Sequence, residues 1–92
     1  MLTGAQIRAG RALVRWTTGQ LARKAGVGIA TVTRAEAHDG APPIIGRHLA
    51  AIGYALSEAG VVFVPGGATL QGGRRETDSK IAPSQLDQEE SE

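Results

Sequence analysis

The sequence predicts an all-α domain of four helices closed by one short C-terminal strand. Three observations carry that reading. Residues 17–36, TTGQLARKAGVGIATVTRAE, hold two short amphipathic stretches broken at Gly26. From Ile45 onward the apolar residues Leu49, Ile52, Leu56 and Ala59 follow at steps of 4, 3, 4 and 3, the period of a continuous helical seam. Val61-Val62-Phe63-Val64 lies between Gly60 and Pro65-Gly66-Gly67, and four β-branched or aromatic residues between such breakers read as a strand.

The elements follow in order. Helix 1 is expected over about 3–15, with Thr3 as N-cap and Gln6 completing a capping box. Ile7, Leu13 and Val14, with Ala5, Ala9 and Ala12, form its buried stripe, and Gly10 inside it costs about 1 kcal/mol against Ala. Helix 2 is expected over 18–25, capped by Thr17 or Thr18. Leu21, Ala22 and Ala25 make its apolar face. Gly26 supplies the left-handed backbone that ends it. Val27 fills the angle before helix 3, expected over 28–37, with Val32 and Ala35 on one side and Ile29 and Thr33 on the other. His38-Asp39-Gly40 and Pro42-Pro43 form a turn that a helix cannot cross. Helix 4 is expected over 44–59.

A strand alone leaves backbone groups unpaired. Residues Ala68-Thr69-Leu70 can return as a hairpin partner, or the same strand of a second chain can pair across a two-fold axis. The two-fold pairing is preferred, which makes Val61, Val62, Phe63 and Val64 the expected dimer interface. The domain is bounded at 1–64, and residues 65–92 are expected to be a flexible acidic tail, disordered beyond Gln71.

Composition narrows the function. The chain has 92 residues, room for one small domain, and no cysteine, so neither a disulfide scaffold nor a Cys-based zinc site is open to it. No signal peptide or membrane span is expected, and the chain is placed in the cytoplasm. Residues 1–64 carry seven Arg and Lys against three acids, whereas 65–92 carry three against six. A basic head suits a polyanion. His38 and His48 lack metal-ligand spacing, no catalytic constellation stands out, and the Gly pairs lack the lysine of a phosphate loop. No enzyme, metal or cofactor is expected. Two helices locked at a fixed angle, the second exposed along its front, read as a helix-turn-helix, the unit that sets a helix in a DNA major groove.

The stretch LTGAQIRAGRALVRWTTGQLARKAGVGIATVTRAE resembles the Cro/CI-type helix-turn-helix of phage repressors and Xre-like bacterial regulators. The shared residues are Arg11, Trp16-Thr17, Leu21-Ala22, Gly26-Val27 and Glu36, and the likeness spans about residues 3–64. It implies a lambda-repressor-like domain in a cytoplasmic, nucleoid-associated and usually dimeric regulator that binds double-stranded DNA. It further implies a buried Arg11–Glu36 salt bridge of structural role, with Trp16 as filler between helices 1 and 2. Gly28, Ile29, Ala30, Thr33 and Arg34 take the groove-facing positions. Arg34 is the one strong base reader, and Thr31 and Thr33 offer hydroxyls. Thr17 and Thr18 stand at a helix N-terminus suited to phosphate. Arg23, Lys24 and Arg47 are further phosphate candidates. Two departures stand out: Ile29 and Ala30 are apolar where many relatives carry polar readers, and Asp39 would repel phosphate. The alternatives are an antitoxin whose tail holds a protein partner, and an interaction module whose Ile29–Ala30 face meets protein.

Overall fold

The computed structural model describes residues 2–71, so the expectations for the acidic tail beyond Gln71 fall outside the described residues. The chain is mostly helical: α1 (Gly4–Val14), α2 (Thr18–Ala25), α3 (Ile29–Glu36) and α4 (Gly46–Glu58), followed by a two-stranded antiparallel sheet of β1 (Val61–Val64) and β2 (Gly67–Leu70). Each helix contributes to one core. Ile7, Leu21, Val32, Ile52 and Leu56 are fully buried at its centre, and Val61 and Ala68 close it from the hairpin.

Local sequence sets the helix starts. Thr3 Oγ1 accepts from the Gln6 backbone N–H at 3.2 Å, while Gln6 Oε1 accepts from the Thr3 N–H at 2.9 Å. Thr17 and Gln20 repeat this arrangement at α2, at 3.0 and 2.7 Å, so Thr17 is the cap and Thr18 the first helical residue. Each reciprocal box satisfies two donors that a helix start otherwise leaves open. Gly26 ends α2 at φ 71°, a backbone that side chains with a Cβ resist.

Several boundaries differ from expectation, and α1, α3 and α4 each end one residue early, at Val14, Glu36 and Glu58. α4 starts at Gly46 rather than 44, because Ile45 stays extended (φ −69°, ψ 151°) as its N-cap. Ile45 is therefore exposed and drops out of the expected buried seam, which Ile52, Ala55 and Leu56 carry with half-buried Leu49. α3 begins at Ile29, with Gly28 as its cap.

The expected single strand is a hairpin. β1 pairs with β2 in the register Val61↔Leu70 to Val64↔Gly67, across a Pro65-Gly66 turn in which Gly66 has φ 75°. Proline followed by a positive-φ glycine is the residue order a type II turn requires. β1 thus finds a backbone partner within its own chain, and the folded unit runs through Leu70 rather than stopping at residue 64. Gly10 explains how the hairpin seats. A Cβ there would stand 3.1 Å from Val61 Cγ1 and 3.4 Å from Leu56 Cδ1, so the glycine lets α1 approach both β1 and α4. Ala12 of the expected stripe is exposed instead.

Candidate functional site

The two helix starts, of α2 and α3, lie side by side. A methyl built on Gly19 would sit 3.6 Å from Ile29 Cδ1, so the first turn of α2 adjoins the first turn of α3. The turn between them is closed by the Val27 N–H on the Ala22 carbonyl at 3.0 Å, with Val27 packed against the core. At α3 no side chain caps the start. The Gly28 carbonyl accepts from the N–H groups of Thr31 and Val32 at 3.1 and 3.3 Å. The N–H groups of Thr18, Gly19, Ile29 and Ala30 have no acceptor among the described residues. Two positive helix ends and four open donors therefore share one surface, an arrangement suited to anions.

α3 divides sharply. Val32 and Ala35 are fully buried, and Glu36 is 8% exposed. Ile29 is 57% exposed, and Gly28, Ala30, Thr33 and Arg34 are also exposed, while Thr31 is half-buried. Glu36 points inward to Arg11: Nε to Oε2 at 2.7 Å and Nη2 to Oε1 at 2.9 Å, a two-pronged pair. Arg11 Nη1 donates to the Trp16 carbonyl at 2.9 Å. The hydrogen bonds to Glu36 hold the Arg11 guanidinium further above its ordinary value, against the opposing effect of burial and with help from the Glu36 charge. The pair ties α1, the Trp16 corner and the end of α3 into one polar joint.

The remaining cations are spread. Arg23, Lys24 and Arg47 are exposed. Lys24 Nζ lies 5.5 Å from the centroid of the half-buried Trp16 ring, within cation–π range. The two residues line a shallow cleft with Tyr54 and Glu58 of α4. Thr17 is exposed and Thr18 half-buried.

The loop after α3 shows a contact that local pattern did not signal. Arg8 forms an ion pair with Asp39 and also donates to the Glu36 carbonyl. The expected repulsive charge of Asp39 is therefore met by a cation. The Gly4 N–H donates to the Gly40 carbonyl at 2.9 Å and the Ala5 N–H to the Asp39 carbonyl at 3.4 Å, so the loop covers the start of α1. Arg8 and Asp39 are far apart in sequence, and no periodicity links them.

Of the expected dimer strand, Val61 is buried, Phe63 and Val64 are half-buried, and Val62 is exposed. Among the described residues no three His, Cys, Asp or Glu side chains cluster as metal ligands, and no helix is long and apolar enough to cross a membrane. Compared with known proteins, the chain matches no family model, no curated protein and no solved structure.

Proposed function

We propose that this chain is a sequence-specific regulator that binds double-stranded DNA as a homodimer, using α2 and α3 as a helix-turn-helix of the Cro/CI type within a lambda-repressor-like fold. The observation that carries the reading is the division of α3. Its inner face is consumed by the core and the Arg11–Glu36 joint, while its outer face is free and adjoins the open N-terminus of α2. A helix held that way can enter a major groove without disturbing the core.

The roles follow from chemistry. Thr17, Thr18 and the open N–H groups at both helix starts take phosphates, as do Arg23, Lys24 and Arg47. Arg34 grips a guanine edge from the outer face, Thr33 adds a hydroxyl beside it, and half-buried Thr31 offers a hydroxyl to a base or phosphate. Gly28 allows close approach, and Ile29 and Ala30 pack on thymine methyls. With so few polar readers, DNA shape and two-fold spacing of about 34 Å between copies of α3 supply the rest of the specificity. The site of action is the nucleoid.

Gel retardation over a salt series, on a DNA fragment carrying the chain's own upstream region, tests this. Affinity should fall linearly on a log–log plot against salt. Arg34→Ala should cost about 1–3 kcal/mol on the cognate site and much less on unrelated DNA. No retardation even at low salt would end the DNA reading. The exposed, apolar Ile29–Ala30 front favours a second reading, in which the same face docks a protein, as in an antitoxin or interaction module. That reading gains if DNA fails to bind and Ile29→Arg abolishes capture of a protein partner.

A further inference from the structure

One side of α4 is largely uncovered, with Leu2 and Phe63 at its edges. Gly46, Ala50 and Gly53 floor an open, apolar groove of about 440 Å³ between Leu2 and Phe63, with no charged side chain lining it. On its rim stands Tyr54, 67% exposed, the most exposed of the large apolar residues.

The charges on α4 run against its own dipole. Its first turn carries no acid but does carry Arg47, and its last residue is Glu58. α1, α2 and α3 each place a basic residue in the last turn, the orientation a helix dipole favours. Arg47 and Glu58 are both exposed, and neither is in an ion pair among the described residues. Eleven residues separate them, three turns and about 16 Å along the axis, so both lie on the Tyr54 side of the groove.

We infer that the groove is filled by the α4 of a second copy, packed antiparallel about a two-fold axis near Gly53. That operation sets Arg47 of each copy beside Glu58 of the other, and each unfavourable helix end beside one of opposite sign. It lays each Tyr54 over the partner's Ala50, with Leu2, which covers its own Gly53, at the edge of the contact. A two-fold contact requires a patch that is its own complement, and knob, hole and charge order meet that condition together. The inference rests on the homodimer part of the function proposed above, not on its DNA part, and moves the interface from the strand Val61–Val64 to α4.

Sedimentation equilibrium of the full chain, without DNA, provides the test. The chain should dimerise. Arg47→Glu and Glu58→Arg should each weaken the dimer about tenfold, because two exposed pairs turn from attraction to repulsion. The double variant should regain most of the loss. Ala50→Arg, at an exposed position, should weaken it further still, with circular dichroism showing native helix content throughout. A monomer at the highest soluble concentration would overturn the proposal. So would a dimer indifferent to all four α4 variants, or one lost on Val62→Lys alone. Gel retardation of the unsubstituted chain separates the two readings: failure of DNA binding with an intact, α4-dependent dimer removes the first and leaves this one standing.

Discussion

The inner and outer faces of α3 share one short helix and obey different constraints. The inner face is specified at every position. Val32 and Ala35 have no exposed surface, and Glu36 is held by two hydrogen bonds to Arg11. The outer face, with Ile29, Ala30, Thr33 and Arg34, makes no hydrogen bond through its side chains to the described chain. An isolated stretch of eight residues is too short to be helical in water, so the inner face is what makes the helix exist. The outer face is then free to vary with whatever it contacts.

The largest break in this contrast should come from Glu36→Ala, which strands Arg11. Removing one partner of a mostly buried pair costs about 3–5 kcal/mol, readable by urea unfolding. Replacing both, as Arg11→Met with Glu36→Leu, should recover most of that loss, since two apolar groups leave no charge unpaired. Next in size is Gly4→Ala, which approaches the inner face from α1. Its Cβ would stand 1.7 Å from the His38 carbonyl oxygen and 2.4 Å from that of Ala35. Backbone must move, so thermal unfolding should show a loss of about 1–3 kcal/mol, despite alanine's better helix propensity. The smallest effects belong to the outer face. Ile29→Ser and Thr33→Ala should change stability by no more than about 0.5 kcal/mol in urea. A larger loss at either would mean that the outer face also holds the fold, and the contrast would fail.

Much of this architecture was legible in local sequence because its causes are local. Thr3 with Gln6, Gly26, and the buried pair Val32 and Ala35 are readable from residue type and spacing within a few positions. The pairing of Arg11 with Glu36 was accessible through family resemblance. Other features depend on what a residue meets across the fold. Gly10 reads as a cost inside a helix until Val61 and Leu56 come against it. Gly4 gives no signal at all until the His38 carbonyl lies over it. A strand pattern at Val61–Val64 states that a partner is required and does not state which, and β2 supplied it. Ile45 fits a helical seam by spacing, yet it stands as the extended N-cap of α4 and is exposed. In the candidate site, identity and exposure of the outer residues were readable. The pairing of Asp39 with Arg8 was not, because nothing short-range couples them.

Gln6 has a consequence for the order of events in synthesis. Its side-chain oxygen accepts from Thr3 at the start of α1, and its side-chain nitrogen donates to the Val64 carbonyl at 2.7 Å, 58 residues away. One amide thus clasps α1 to the hairpin, the last of the described elements, and α1 packs on both β1 and β2. A nascent chain emerging from the ribosome presents α1 early, with its apolar stripe uncovered. The clasp cannot close until Val64, 58 residues after Gln6, has followed it out. Helices α1 to α4 can gather beforehand, but α1 gains its contacts with β1 and β2 only once the hairpin has been made.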